Sequence, residues 1–324
     1  MLRMMTVGLL TLLVSVCGLS CAVPPPADGG DGGGNGGGDG GGGGGGGMAE
    51  FVGALSVNSS RTFSELADTE SLAASAIFTS TEEVDNGNVD TKTIGDCLVT
   101  TVAINTDEPV DIPNFDQLDA GQSGTVSTTA QEATLDKQAE GLYGTGDLGE
   151  DGFTTGETYT FEFAGGIDIA AFMTSIGLPS GFTSTTPDLS DDDLTIDKSA
   201  ALDVAWAPSG SADSVTVHVS TANIDTFVTI ICTFDDIGSA TVPLAAMECL
   251  LDDSTSTTVS ISRTNSEQIE VALTAGGSGT LFVTAQTGDA RTIFAGSDTG
   301  GVDPCDFIPC PEGTTCNPNT FLCE

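Results

Sequence analysis

Clustered oxygen-bearing side chains are the groups in this sequence whose type and spacing best suit a chemical role. The stretch DLSDDD contains four carboxylates: Asp188, Asp191, Asp192 and Asp193. Similar groups occur in DNGNVD at 85–90 and in the pair Asp235–Asp236. Ca²⁺ prefers hard oxygen ligands gathered in loops, so calcium is the best metal hypothesis, although no stretch has the spacing and closing Glu of an EF-hand. The alternative is that these residues only form turns and caps.

Histidine, the usual base of a serine or cysteine nucleophile, is scarce. His218 is the single histidine, and it lies on the polar side of the alternating stretch SVTVHVS. A serine or cysteine nucleophile would need it as its base, but this position predicts a solvated strand residue. The stretch GTGDLG at 144–149 matches a nucleotide-binding glycine pattern, yet it runs into a turn and a strand instead of a helix. The sequence therefore predicts no catalytic residues and no organic cofactor.

Paired carboxylates remain the alternative chemistry. A glycosidase needs two acids facing each other across a sugar, one of them with a raised pKa. The chain has 47 Asp and Glu residues, one Trp and two Tyr, so no pair stands out beside convergent aromatics. An exported acidic hydrolase acting on envelope polysaccharide is the second function hypothesis.

The charge balance excludes one class of partner. Seven Lys and Arg residues against 47 acids give a formal net charge of −40 at pH 7. Nucleic-acid binding depends on Lys and Arg that neutralise phosphates, so we expect no nucleic-acid partner. The same balance favours solubility and a weak attraction for divalent cations.

Alternating apolar and polar residues dominate the centre of the chain. SVTVHVS, ETYTFEF, TTVSISR and EQIEVAL each repeat with a period of two, which is typical of half-buried strands. FVTIICTF, residues 227–234, is apolar on both faces and predicts a central strand covered on both sides. Turn-rich clusters separate these runs, and the one helix candidate is PLAAMECLL.

We therefore expect an all-β fold of antiparallel, Ig-like β-sandwich units. A soft boundary near Pro187 divides the centre into sandwich-like domains at 51–186 and 187–297, although a single larger sandwich also fits the pattern.

The N-terminus has the layout of an export signal. A basic residue is followed by an apolar core too short to span a bilayer. Residues 1–21 predict a lipoprotein-type signal with Cys21 as the lipidated residue, which would anchor the chain to a membrane. Cys17 is an alternative lipid site, and cleavage after Ala22 would instead secrete the chain. The Gly-rich stretch 22–50 predicts a disordered leash.

Several motifs in the centre resemble a family of exported bacterial lipoproteins of unknown function. They include LDAG, GG-x-D-x-x-x-F, a strand containing Trp, and C-x-x-x-D-x-G-x-x-x-[IV]-P. The matching positions are Gly165, Gly166, Asp168, Phe172, Trp206, Cys232, Asp236, Gly238 and Pro243. The resemblance implies an all-β exported domain and brings no catalytic residues with it.

The tail, 298–324, is a short cysteine-rich segment that resembles an EGF-like or follistatin-type module. That resemblance implies the pairs Cys305–Cys316 and Cys310–Cys323, whereas four cysteines by themselves allow three connectivities. A zinc site is the alternative, and export to an oxidising compartment argues against it.

Three cysteines remain in the centre, so one must stay unpaired. The resemblance favours Cys97 with Cys232, whereas closeness in sequence favours Cys232 with Cys249.

Together these features predict an exported, lipid-anchored, non-enzymatic protein of the bacterial cell envelope or surface. Its expected role is structural, adhesive or ligand-binding, with envelope polysaccharide or protein as the partner.

Overall fold

The computed structural model describes residues 50–64, 68–79, 89–103, 117–209, 214–223 and 225–294. The predictions for the signal segment with Cys21, for the glycine-rich leash and for the cysteine-rich tail lie outside these residues. Cys305, Cys310, Cys316 and Cys323 are the tail residues concerned.

The described chain is almost entirely β-structure, as the alternating pattern predicts. The strands are β1 Glu50–Phe63, β2 Thr69–Phe78, β3 Val89–Ile94, β4 Cys97–Ala103, β5 Ser123–Ser127, β6 Glu132–Ala139, β7 Leu142–Gly144, β8 Thr158–Phe163, β9 Phe172–Gly177, β10 Ser184–Thr186, β11 Leu202–Trp206, β12 Ser214–Ala222, β13 Thr226–Phe234, β14 Ser239–Val242, β15 Ser256–Ala272 and β16 Ser278–Phe294. One short helix, α1, spans Leu244–Met247 within the predicted helical stretch. Among the described residues, no helix has the length and hydropathy needed to cross a bilayer.

Thirteen of these strands form one sheet, in the order β3-β4-β13-β12-β15-β16-β1-β2-β7-β6-β5-β8-β9. All neighbours in it are antiparallel except β1 and β16, which run parallel. A second sheet has the order β10-β11-β14. The large sheet curls, because β9 returns to pack against β15 and β16 and the Asn265 side-chain amide donates to the Gly177 carbonyl at 2.6 Å.

Two hydrophobic cores lie on the concave, inner side of the large sheet. The first is rich in aromatic residues from β2, β7 and β8, including Phe78, Tyr143 and Phe163, whose rings meet edge to face. The second is closed by the small sheet and α1, which pack Trp206 and Met247 against the strands. Alternation explains both cores, since every second residue of a strand faces the same side.

The long hairpin β15–β16 runs through both cores. Val259 and Ile261 near the start of β15 belong to the second core, and Val271 near its end belongs to the first. The predicted boundary near Pro187 therefore does not divide the fold in two. β3 and β4 precede that boundary in sequence, yet in the sheet they lie beside β13, which follows it.

The apolar stretch 227–234 forms β13, whose inward side lies in the second core and whose outward side is partly buried, with Thr229 only 1% exposed. Ile230 and Cys232 are fully buried in the second core, whereas Phe227 and Ile231 point to the opposite side and remain half-buried. The prediction that this strand lies in the centre of a sheet is confirmed by its neighbours β12 and β4.

A disulfide joins Cys97 to Cys232, the pairing that the family resemblance favoured. The two residues are direct partners in the antiparallel register of β4 and β13. Cys249, the nearer cysteine in sequence, is a half-buried free thiol. The alternative pairing of Cys232 with Cys249 is wrong, because β13 places Cys232 opposite β4.

Candidate functional site

Three of the four arginines of the chain lie on the inner side of the large sheet, between the two cores. They are Arg61 on β1, Arg263 on β15 and Arg291 on β16. The strand register makes them neighbours, because Arg61 pairs with Asp289, and Arg263 pairs with Thr287 two residues before Asp289. We call the three arginines, Asp289 and Asp236 the arginine clamp.

The first part of the clamp is a bidentate ion pair. Arg61 donates to both carboxylate oxygens of Asp289, with nitrogen–oxygen distances of 2.8 to 3.0 Å. Asp289 is only 4% exposed, and its second oxygen also accepts the backbone N–H of Ser184 at 3.3 Å. A charge this deeply buried requires such partners, because an unpaired buried carboxylate would be strongly destabilising.

The second part of the clamp is centred on Asp236. Its carboxylate accepts hydrogen bonds from the Trp206 indole at 2.6 Å, from Ser209 at 2.9 and 3.0 Å, and from Arg263 at 3.2 Å. Burial is the largest single influence and opposes ionisation, but the hydrogen bonds from Ser209 and Trp206 together with the Arg263 charge lower the pKa of Asp236 overall. The Arg263 guanidinium lies 5.1 Å from the centre of the Phe182 ring.

The clamp fastens one segment, residues 178–192, to the sheet. Arg263 donates to the Gly181 carbonyl, Arg291 to the Leu189 carbonyl at 3.2 Å, and Thr287 to the Pro179 carbonyl at 2.9 Å. Carbonyl groups without a strand partner need donors when they are buried. Arg263, Arg291 and Thr287 supply these donors, so the region predicted as an interdomain boundary is an anchored part of the fold.

A second polar cluster is centred on Asp119. Its carboxylate accepts hydrogen bonds from the backbone N–H of Gly121 and the Lys137 ammonium, both at 3.0 Å, and from the backbone N–H of Ile167 at 3.2 Å. The Gly121 bond and then the Lys137 bond lower the pKa of Asp119. The Asp119 backbone N–H donates to Asp168 at 2.8 Å. Two motifs of the resemblance, LDAG and GG-x-D, thus meet in this cluster.

The four aspartates of the calcium hypothesis are engaged separately. Asp188 accepts two hydrogen bonds from Ser190, which lower its pKa. Asp191 accepts the backbone N–H of Asp193, and Asp192 pairs with Arg291 at 2.9 Å. Within the part of the chain that the structure describes, no three His, Cys, Asp or Glu side chains come together in a way that could hold a metal ion. The geometry corresponds to the turn-and-cap alternative.

Among the described residues, the pair Asp235–Asp236 also lacks a converging ligand set. Asp236 is occupied by the clamp, so it is not available to a metal. Most of the stretch 85–90 lies outside the described residues, and its last residue, Asp90, is exposed on β3.

His218 lies on the outer side of β12, and it is half-buried where full solvation was expected. Its Nε2 is 2.7 Å from the hydroxyl of Thr229, a residue only 1% exposed. Burial lowers the pKa of His218 from 6.5 to about 4, so the ring is neutral at pH 7. Within the part of the chain that the structure describes, its hydrogen-bond partner is this strand hydroxyl, and no serine or cysteine nucleophile is bonded to it.

The remaining features of the predicted chemistry are structural. Gly144 ends β7 and is followed by turns, as the hairpin interpretation of GTGDLG requires. The aspartates with a perturbed pKa, namely Asp119, Asp188, Asp197 and Asp236, all have it lowered. A carboxyl group that acts as a general acid needs a raised pKa instead.

No family model matches the chain, and no curated protein matches it.

The clamp was not predicted from the sequence, although a partial signal exists. In TTVSISR the alternation that buries Val259 and Ile261 continues to Arg263, so the sequence could have predicted that this arginine points inward. Its partner Asp236 is 27 residues away, and Arg61 and Asp289 are 228 residues apart. Such pairs are not visible in a local pattern.

Proposed function

We propose that this protein is an exported, lipid-anchored display protein without enzymatic activity, held at the bacterial envelope and structural, adhesive or ligand-binding in role. The N-terminal sequence supports export and anchoring through Cys21. The Gly-rich stretch that follows would let the β-domain stand away from the membrane surface.

The observation that carries the proposal is the use of the buried charges. The buried Asp289 is paired with Arg61, which is partly exposed, and the buried Arg263 and Asp236 are paired with each other. Backbone groups complete their hydrogen bonds. Among the described residues, every buried side-chain nitrogen and oxygen has a hydrogen-bond partner. Catalytic sites usually contain an acid or base whose pKa is shifted to suit its role in the reaction. Here the ionised groups of the interior hold a wide sheet and its covering segment together.

A rigid β-scaffold with a strongly acidic surface suits display. The net charge of −40 keeps chains soluble and apart, and the disulfide Cys97–Cys232 suits an oxidising compartment. These features favour a durable exported module over a cytoplasmic enzyme.

Intact mass spectrometry of the mature protein tests the anchoring. We expect a diacyl or triacyl mass on Cys21 as the first residue, and a Cys21→Ala variant should appear in the soluble fraction. A mature chain that begins at Val23 without lipid would refute it.

A reducing-sugar assay on envelope polysaccharide tests the non-enzymatic role. We expect no release of reducing ends above that of the heat-unfolded protein. Turnover that persists through repurification and is lost in a carboxylate-to-amide variant would establish the hydrolase alternative instead.

A further inference from the structure

One edge of the large sheet is the exposed strand β3. It pairs with β4, and it has no second neighbour among the described strands. Residues 89–93 are all exposed, and Val89 is 40% exposed. The open side of an edge strand presents a row of backbone N–H and C=O groups that can pair with another strand.

The opposite edge of the sheet, β9, is engaged by its neighbours. The Asn265 side-chain amide donates to the Gly177 carbonyl at the end of β9, and the Thr174 hydroxyl donates to the Glu267 carboxylate at 3.2 Å. Both partners belong to β15, against which β9 packs. β3 is therefore the edge that can accept a further strand.

The turn between β3 and β4 shows which backbone groups of β3 point to the open edge. The Thr233 backbone N–H donates to the Asp96 carbonyl at 3.2 Å, so the backbone of Asp96 faces β13. Successive strand residues direct their backbone groups to opposite sides, so that of Cys97 faces its partner Ile94 on β3. The backbone of Ile94 therefore faces β4. By the same alternation, the residues of β3 whose backbone groups point to the open edge are Val89, Thr91 and Thr93.

The side chains of β3 carry a self-complementary pair of charges. Asp90 and Lys92 point to the same side as Ile94, which packs against the second core. A hydrogen bond to the Cys249 thiol and, less strongly, the charge of Asp90 raise the pKa of Lys92, so its amine is a cation at pH 7. If two copies of β3 run antiparallel with their Thr91 residues opposite, Asp90 of each copy lies opposite Lys92 of the partner subunit. These are non-hydrogen-bonded pairs, in which the side chains come closest.

The scarcity of cations on this chain makes β3 unusual as a surface for self-association. With seven Lys and Arg residues against 47 acids, most other contacts between two copies would bring carboxylates together. A lysine on an edge strand often prevents strand pairing, because its charge is left without a partner. In the two-fold register each Lys92 meets a carboxylate instead, so the lysine favours this one pairing.

We propose that β3 is the interface of a homodimer, in which the β3 strands of two copies pair antiparallel about a two-fold axis at Thr91. The pairing forms about six backbone hydrogen bonds, two for each pair of residues whose backbone groups face one another. It joins the two large sheets edge to edge, and the two-fold axis closes the assembly without forming a fibre. An interface of one strand pair belongs to the small class, so we expect a weak dimer that forms at about 100 μM.

Sedimentation velocity of residues 22–324 over the micromolar range tests the homodimer. Asp90→Lys places lysines opposite one another, and Lys92→Asp places aspartates opposite one another. The axis makes each change act at both charge pairs, so each should weaken dimerisation at least about tenfold. An equimolar mixture of the two variants should associate again, because every lysine of one chain then faces an aspartate of the other.

Thr91→Pro tests the backbone pairing independently of charge. It removes the N–H at the axis, which points away from β4, so the edge strand tolerates the proline while the dimer should be lost. Glu132→Lys is the matched control, since it makes the same change of charge as Asp90→Lys at an exposed position of β6. It should leave the dimer intact, and circular dichroism should confirm that all variants are folded.

Four results would overturn the proposal. One is a wild-type chain that remains monomeric at about 100 μM. Another is a dimer that persists in Asp90→Lys and Lys92→Asp. A mixture of these two variants that fails to associate would exclude the register at Thr91. An equal loss in Glu132→Lys would mean that net charge, and not β3, controls association.

Discussion

Acidification should destabilise this protein through its single histidine, before its carboxylates are protonated. His218 is held half-buried on β12 with its Nε2 against the Thr229 hydroxyl. Burial lowers its pKa from 6.5 to about 4 in the folded chain. The unfolded chain therefore binds a proton at His218 at a higher pH than the folded chain does.

The sign and size of the effect follow from this difference. Between pH 6.5 and about 4 the unfolded state holds more protons, so stability is complete above pH 6.5 and declines as the pH falls. One unit of pKa difference corresponds to about 1.4 kcal/mol. The free energy of unfolding therefore falls by about 2 kcal/mol between roughly pH 8 and pH 5, and by about 3 kcal/mol near pH 4.

Urea unfolding of the wild type and of His218→Gln over this pH range measures the loss. Glutamine can keep a hydrogen bond to Thr229 but does not titrate, so the difference between the two curves cancels the contribution of the carboxylates. We expect the difference to grow by about 2 kcal/mol on going from about pH 8 to pH 5. The lone histidine also gives a single imidazole Cε1–H resonance, whose titration should show no midpoint above about pH 5.

Two results would refute this reasoning. One is an imidazole titration midpoint near 6.5, which would mean that water solvates the ring. The other is a difference between wild type and His218→Gln that stays constant with pH.

Three further substitutions test the interior. Asp236→Ala should lower the free energy of unfolding by about 3 to 5 kcal/mol, since it leaves a buried guanidinium unpaired; a loss under 1 kcal/mol in urea would contradict the clamp. Replacing Cys97 and Cys232 by alanine should cost about 2 to 5 kcal/mol, because the bond closes a separation of 135 residues; reduced wild type should unfold at the same urea concentration as this variant. Gly53→Ala should lower the melting temperature more than Gly276→Ala. Both glycines have positive φ, but only a Cβ at position 53 would clash with a backbone atom, the carbonyl oxygen of Ile77; equal shifts would contradict the steric argument.

Much of the fold could be predicted from the alternation of side chains. SVTVHVS became β12 with Val215, Val217 and Val219 buried on one side. This succeeds because a strand of period two carries its burial pattern in its own sequence. The helix at PLAAMECLL was also found, although it is only one turn long.

The division into domains could not be read in the same way. A soft boundary was expected near Pro187, yet the long strands β1 and β15 contribute residues to both cores. Strand order is set by contacts between distant segments, and a local pattern does not report which strand lies beside which.

The candidate site shows the same limit. The aspartates at 188–193 were close in sequence and so invited a common metal, but their carboxylates bind different neighbours in the fold. Asp236 was considered for calcium, and its real partners Trp206 and Arg263 come from other strands.

By itself, the sequence determined the all-β class, the buried side of the alternating strands and the strongly acidic surface, because each depends on residue types within a few positions. Only the tertiary structure decided that Cys97 bonds Cys232 and that Arg61 meets Asp289. Those pairs are set by the register of strands more than a hundred residues apart. The free energy that selects a register belongs to the assembled sheet, and no single segment contains it.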